Sequence, residues 1–409
     1  MLEYDVLIVG AGHAGAQLAF ALRQQKFEGS IALVGDEPHA PYERPPLSKD
    51  YLAGVRGFER ILIRPEQFWV DRDIALLPGR RVTEIRPQDH EAVLSDGNSI
   101  RYRHLVWAAG GAPRSLTCNG HELAGVHSVR TRADVDRIMA ELPNAERIVV
   151  IGGGYIGLEA AAVLSKLGKS VTVVEAMDRV LARVACEPLS RFFETEHREH
   201  GIHVRLSSQI ECLEGDDAVR AVRLAEGEPL AADMVIVGIG IIPSIEPLHA
   251  AGADCPNGVY VDEYCRTSLP DVFAIGDCAA HDNPYAEGAM IRLESVQNAT
   301  DQATTVAKFL TGSPEAYDAV PWFWSNQYDL KLQTVGLTMG YDDIVMRGEP
   351  SEKSFSLIYL RNGRVIALDC VNMVRDYVQG KALVAGRMKV SPSLLADTNI
   401  ALKSHRSRE

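Results

Sequence analysis

Residues 6–15 read VLIVGAGHAG, and residues 148–159 read IVVIGGGYIGLE. Each segment passes from a short apolar run into a glycine-rich turn and then into a helix-forming stretch. An unbroken apolar run of this length marks a strand buried on both faces, as in a parallel sheet. The glycines fall in the spacing G-x-G-x-x-G, at Gly10, Gly12 and Gly15 and again at Gly152, Gly154 and Gly157. In such a loop the first glycine permits a tight turn, the second lets the backbone approach a pyrophosphate, and the third lets the helix pack close to the strand. The helix start then offers unpaired N–H groups and the positive end of its dipole to phosphate. The two copies lie about 140 residues apart, a span of roughly domain size.

The residues beyond each loop agree with a nucleotide site. After the first, Ser30 to Val34 forms a second apolar strand that ends at Gly35-Asp36-Glu37. An acid about 20 residues beyond the glycines is where a ribose hydroxyl is held, and spacing leaves both Asp36 and Glu37 as candidates. His13 sits at a variable loop position and reads as a neighbour of the ligand. After the second loop, Leu158 to Leu167 reads as a helix closed by Gly168. The strand Ser170 to Val174 then delivers Glu175. A carboxylate there accepts both ribose hydroxyls of NAD and repels the 2′-phosphate of NADP. Arg179 stands four residues on rather than adjacent. NADH is therefore the expected co-substrate. Two nucleotide folds in one chain imply two nucleotides working together. A nicotinamide gives hydride, and a flavin takes hydride and releases single electrons. That pairing puts FAD on the first fold and NADH on the second.

Composition narrows the classes. The chain of 409 residues carries 42 basic and 55 acidic residues, a net charge of −13. That balance argues against nucleic acid or an anionic membrane as partner. No run reaches the roughly 18 apolar residues of a membrane span. The first strand begins almost at Met1, leaving no room for a signal or transit peptide, so a cytoplasmic location is expected. Seven cysteines, Cys118, Cys186, Cys212, Cys255, Cys265, Cys278 and Cys370, form no CxxC pair and no regular spacing. They read as reduced thiols, and no metal site is expected.

Three further segments complete the pattern: HLVWAAGGAPR at 104–114, MVIVGIGIIPS at 234–244 and VFAIGDCA at 272–279. With them the sequence resembles the FAD-dependent pyridine-nucleotide oxidoreductases, which nest one Rossmann fold inside another. The resemblance implies an α/β fold of two nested Rossmann-like nucleotide-binding domains plus a smaller α+β C-terminal domain. The FAD-binding domain would comprise 1–112 and 245–320, the NAD-binding domain 113–244, and the C-terminal domain 321–409.

The branch of the family is set partly by what is missing. No cysteine precedes Cys118, and no CxxC stands in the NAD segment. A thiol relay is therefore not expected. The early loop PYERPPLSKDYLAG at 41–54, the segment RLESVQNA at 292–299 and PWFWSNQYDLKLQTVG at 321–336 resemble the bacterial reductases of [2Fe-2S] ferredoxins, a family that includes putidaredoxin and rhodocoxin reductases. The resemblance implies FAD contacts at Ala14, Asp36, Lys49, Val82, Arg130, Asp277 and Val296. Asp277 would bind the ribityl chain and Lys49 would stabilise charge on reduced flavin. The second loop, with Tyr155 and Ile156 between its glycines, would hold NADH. Glu159 is the expected partner of Lys49 when nicotinamide docks. Without the family, Lys49 reads as a solvated lysine in a Pro-rich loop.

The expected activity is hydride transfer from NADH to FAD, then one electron to each of two [2Fe-2S] ferredoxins that supply a cytochrome P-450 or a Rieske-type oxygenase. No general acid or nucleophile is needed. Other acceptors (oxygen, a quinone, monodehydroascorbate) and a non-enzymatic redox sensor are the competing readings.

From Pro321 the chain reads as a separate domain, with strands at Phe355 to Leu360 and Val365 to Cys370 around Asn362-Gly363, a hairpin signal. A helix follows from Met373 to Arg387. Trp324 matches the family tryptophan between flavin and ferredoxin, while Trp322 reads as a core residue. Because the chain is acidic, as ferredoxins of this type usually are, docking requires a local basic patch. Arg64, Lys381 and Lys403 match basic docking positions of the family, whereas Thr304 stands where a relative has a base.

Overall fold

The structure is a computed structural model that describes residues 2–405. Met1 and residues 406–409, at the ends of the first and last expected domains, lie outside the described residues. By internal contacts the chain forms two units, one of Met1–Arg44, Phe58–Ala112 and Pro243–Phe323, the other of Pro45–Gly57, Pro113–Ile242 and Trp324–Glu409.

The first unit is built on a sheet whose parallel strands run in the order Ile74–Leu77, Ile31–Val34, Leu2–Val9, Ser99–Trp107. The free edge of Ser99–Trp107 is shared. Its first half pairs antiparallel with the hairpin Val82–Arg86 and Glu91–Leu94, and its second half pairs parallel with Val272–Ala274. Val6, Leu7 and Ile8 are wholly buried, as their unbroken apolar run requires. The helices His13–Gln24 and Val296–Leu310 cover one face. Leu18, Ala19 and Leu22 meet Ala303, Val306 and Ala307 there. Small residues let the two helices approach closely.

The second unit repeats the plan. Its parallel sheet runs His203–Arg205, Ser170–Val174, Arg147–Ile151, Met234–Val237, Val126–Ser128. In both units the chain leaves the glycine-bearing strand to one side and later returns to its other side. The strand order thus reverses at the glycine loop, which is where open α/β sheets bind ligands. A small antiparallel sheet, Ile210–Gly215, Val219–Leu224 and Leu230–Ala231, caps the second sheet's core.

The C-terminal part forms a five-stranded antiparallel sheet in the order Trp322–Gln327, Leu330–Gly336, Arg364–Val371, Ser354–Arg361, Asp343–Glu349. The Asn362-Gly363 turn has φ of 50° and 72°, the left-handed pair that a tight hairpin needs. The helix Val374–Ala385 packs on this sheet through Leu383 and Val384. It is two residues shorter at its C-terminal end than the sequence suggests, because Gly386 is the cap.

One feature departs from the expected boundaries. Residues 45–57, expected with the first fold, belong by contact to the second unit. Their short helix Pro45–Ser48 lies against the helix Tyr155–Lys166. Tyr51 donates to Asp136 at 2.5 Å, and Arg132 donates to the same carboxylate. The C-terminal sheet is a separate antiparallel layer, as expected, and from Trp324 onward it groups by contact with that unit. No helix among the described residues is long and apolar enough to cross a membrane.

Candidate functional site

The two glycine loops match contact by contact. Gly10 N–H donates to Val34 O and Gly152 N–H to Val174 O, each at 2.8 Å. A Cβ on Gly10 would lie 2.2 Å from Ala108 O, and one on Gly152 would lie 2.4 Å from Gly238 O. A Cβ on Gly15 would lie 2.0 Å from Gly10 O, and one on Gly157 would lie 2.2 Å from Gly152 O. The outer glycines are therefore demanded by the protein's own packing.

The middle glycines are different. Gly12 and Gly154 have ordinary negative φ, and a Cβ on either would meet nothing within 4 Å. Neither backbone conformation nor packing explains them, whereas a pyrophosphate pressed against the backbone does. Both helices that start there also begin without a side-chain cap and without an acid in the first turn. Elsewhere in this chain, Thr131 and Asp134 form a full capping box and Ser295 caps Val296–Leu310. The first-turn N–H groups of the two glycine-loop helices are thus left for an anion. The residues present fit a dinucleotide at each loop.

The acid candidates separate. Glu37 accepts from Tyr42 at 2.5 Å and from Arg44 at 2.7 Å, so neighbours already hold both its oxygens. Asp36 is exposed beside it. In the second unit Glu175 accepts from Gly153 N–H at 2.6 Å and Met177 N–H at 2.9 Å, which pins its carboxylate against the loop. Arg179 turns away, donating to Ala182 O and pairing with Asp178.

Near the first loop three distant segments converge. Gly276, beside Asp277, has φ of 78°, and a Cβ on it would lie 3.0 Å from Ala14 and 3.8 Å from Ala299. Gly276 N–H donates to Gln302 at 2.7 Å, which fixes the Asp277 turn on the helix that Val296 begins. Val82 is buried at the start of its strand. Arg130 is half-buried and lies in the second unit.

The second unit brings Lys49 and Glu159 together. Lys49 Nζ is 2.6 Å from Glu159 Oε2, with the lysine side chain 17% exposed and the glutamate 1%. This excludes the solvated-lysine reading. Ser48 donates to the same oxygen and Ser325 to the other, each at 2.6 Å. Beyond Ser325 stand Gln327 at 3.2 Å, then His197 at 2.8 Å from Gln327, then Tyr328 at 2.9 Å from His197. Burial pushes His197 down to about 4. Tyr155, on the loop side of Glu159, is raised well above its usual range by burial and by the nearby Asp369 and Glu159. Sequence reading missed Ser48, Ser325, Gln327, His197 and Tyr328 as parts of a site. The polar run Ser325-Asn326-Gln327 directly after the aromatic residues 322–324 was the available signal, and His197 had none.

Trp324 and Trp322 are both half-buried, so Trp322 is not the core residue expected. The tryptophans that fill the core are Trp69 and Trp107. Lys381 lies 4.5 Å over the Tyr377 ring, and Lys403 is exposed on a turn that donates its N–H to Gln379 of the same helix. Arg64 is exposed in the first unit against Phe20 and Phe68. All seven cysteines are unpaired. Burial pushes Cys278 up to about 12 and raises Cys265 and Cys370 further, so these thiols are poor nucleophiles.

Comparison with known proteins extends along the same chain. Residues 4–303 match the family described as pyridine nucleotide-disulphide oxidoreductase, and residues 322–406 match the reductase C-terminal family. The ferredoxin reductase subunit of 5,5′-dehydrodivanillate O-demethylase from Sphingobium sp. strain SYK-6 is 59% identical, covering 98% of each chain. Rhodocoxin reductase from Rhodococcus erythropolis is 43% identical, covering 98% of this chain and 93% of its own. A crystal structure of a covalent putidaredoxin reductase–putidaredoxin complex superposes with a TM-score of 0.95 at 40% identity, covering 99% of this chain and 98% of that one.

Proposed function

The chain belongs to the pyridine nucleotide-disulphide oxidoreductase family, and on that premise we propose that it is an NADH-dependent reductase of a [2Fe-2S] ferredoxin. The observation that carries this reading is the duplication. Two loops are built alike, each with a middle glycine that only an outside ligand explains. The full-length similarity to ferredoxin reductases supports the acceptor. FAD is assigned to the loop Gly10, Gly12, Ala14, Gly15, with Asp277 and Val296 beside it and Asp36 as the ribose acid. Val82 and Arg130 remain proposed FAD contacts. NADH is assigned to Gly152, Gly154, Tyr155, Ile156 and Gly157, with Glu175 on the ribose.

When bound, FAD supplies the chemistry, taking two electrons as hydride and returning them one at a time to two ferredoxins. The protein's share is binding, orientation and charge. The first-turn N–H groups of both glycine helices neutralise pyrophosphate. Glu175, already fixed by two backbone N–H groups, selects the unphosphorylated ribose. Lys49 supplies a cation whose position is set by Glu159, and both are assigned to flavin reduction. Trp324, Lys381, Lys403 and Arg64 are assigned to ferredoxin docking, and the reduced ferredoxin would supply an oxygenase.

The test is a panel of purified [2Fe-2S] ferredoxins with NADH and NADPH as donors. Rapid cytochrome c reduction that depends on one ferredoxin, with NADH the better donor, is the expected result. Oxygen consumption undiminished by any ferredoxin would replace this reading with an oxidase.

A further inference from the structure

The chain of side chains behind Glu159 has a direction. A carboxylate only accepts hydrogen bonds. Ser325 Oγ, 2.6 Å from Glu159 Oε1, must therefore donate to it. The Ser325 oxygen is then available as an acceptor, and Gln327 Nε2 faces it at 3.2 Å. That orientation turns Gln327 Oε1 toward His197 Nε2 at 2.8 Å. An amide oxygen cannot donate, so His197 carries its proton on Nε2. Nδ1 is left bare, and it accepts from Tyr328 at 2.9 Å. Every donor thus points the same way, from Tyr328 through His197, Gln327 and Ser325 to Glu159. Ser325, Gln327 and His197 are all buried, while Tyr328 is half-exposed and stacked on the exposed His200 with ring centroids 3.7 Å apart.

We propose that Ser325, Gln327, His197 and Tyr328 are positioning residues for the Lys49–Glu159 pair, a one-way chain of donors that keeps Glu159 aimed at Lys49. The inference rests on the flavin-reductase reading. A buried carboxylate is costly unless its lone pairs are met, and in a low-dielectric interior each successive bond polarises the next. Ser48 and Lys49 meet one oxygen of Glu159, and Ser325 at the head of this chain meets the other. Charged and titratable groups surround both ends. Lys49 and Tyr155 face Glu159. His200 faces His197, and Glu196, paired with Lys353, faces Tyr328. Burial holds His197 low, near 4, so the imidazole stays neutral and its tautomer stays defined at neutral pH. Ser325 and Gln327 also alternate with Trp324 along one strand, so the bonds that steady Glu159 also fix the strand that presents Trp324.

The test has two readouts on the FAD-loaded protein. In ¹⁵N NMR of histidine-labelled protein, His197 should show a protonated Nε2 and a bare Nδ1, and Gln327→Met should release that single tautomer. In stopped-flow reduction by NADH, Ser325→Ala and Gln327→Met should lower the limiting rate of flavin reduction about tenfold, the scale of one lost hydrogen bond to a charged group. The apparent dissociation constant for NADH should stay within about twofold. Ser325→Thr keeps the hydroxyl and should restore the rate. An Nδ1-protonated His197 in the unmodified protein, or wild-type reduction rates in both Ser325→Ala and Gln327→Met, would overturn the proposal. Neither readout uses ferredoxin. A protein that reduces no ferredoxin yet shows the tautomer and the rate pattern would sink the functional reading and leave this one standing.

Discussion

Glu159 Oε2 accepts from Lys49 Nζ at 2.6 Å although 110 residues separate them and the glutamate is 1% exposed. The pair joins a Pro-rich loop to the helix that starts at the second glycine turn. Lys49→Met should leave a buried carboxylate without its cation, which lowers the unfolding free energy by about 3 kcal/mol. Lys49→Met/Glu159→Gln should regain most of that loss. Urea denaturation measures both. The limiting rate of flavin reduction should fall in Lys49→Met at unchanged FAD content, and a wild-type rate would remove Lys49 from the chemistry.

The glycines give a sharper test, because their reasons differ. Gly15→Ala puts a methyl 2.0 Å from Gly10 O and should abolish folding. Gly12→Ala and Gly154→Ala meet no protein atom within 4 Å and should fold, Gly12→Ala with a melting temperature close to that of FAD-stripped wild type and Gly154→Ala close to that of FAD-loaded wild type. Gly12→Ala should lose FAD, read from the flavin absorbance. Gly154→Ala should keep FAD and bind NADH at least about tenfold more weakly, a cost of roughly 1.4 kcal/mol. Full FAD content in Gly12→Ala would contradict the assignment of that loop.

Glu175 should decide between the two nicotinamide donors. Glu175→Ser removes the charge that repels a 2′-phosphate and should shift the ratio of kcat/KM values toward NADPH by about tenfold or more. Steady-state rates with both donors measure it. An unchanged ratio would place the discrimination elsewhere.

Stability should depend on pH through Asp369. It is 3% exposed, accepts from Tyr359 at 2.5 Å, and burial pushes its pKa up to about 7. A carboxyl whose folded value lies above its unfolded value of about 4 binds more protons in the folded state over that interval. Its contribution is full below about pH 4 and is lost as pH rises through about 7. The melting temperature should therefore fall between pH 5 and 8 by an amount that Asp369→Asn removes. An equal fall in that variant would assign the effect to other groups.

Docking should respond to local charge. Lys381→Glu and Lys403→Glu should together raise the KM for the cognate ferredoxin about tenfold at low salt, with the difference shrinking as salt rises. Ferricyanide reduction should be spared. Equal loss with both acceptors would argue against a docking role.

Much of the fold was legible in the sequence because its signals are local. The apolar runs at 6–9 and 148–151, the glycine spacings and the Asn362-Gly363 turn each declare their conformation within a few residues, and the structure places strands and turns there. The hairpin Val82–Arg86 and Glu91–Leu94 was not read. Its strands alternate only partly and hold one edge of a larger sheet, so nothing local distinguishes them from loop. The choice between Asp36 and Glu37 was likewise closed to spacing. The proposed choice of Asp36 rests on Tyr42 and Arg44 folding back to occupy Glu37.

The sequence by itself determined that the chain holds two nucleotide folds, which residues begin them, and that no cysteine pair is spaced for a relay. Those properties depend on neighbours within one turn or one strand. Only the tertiary structure decided what else surrounds Glu159 beside the expected Lys49. Ser48, His197, Ser325 and Gln327 come from three segments far apart in the chain. None announces itself by spacing, because the reason for each is the need to satisfy one carboxylate buried away from water, and burial is a property of the folded chain alone.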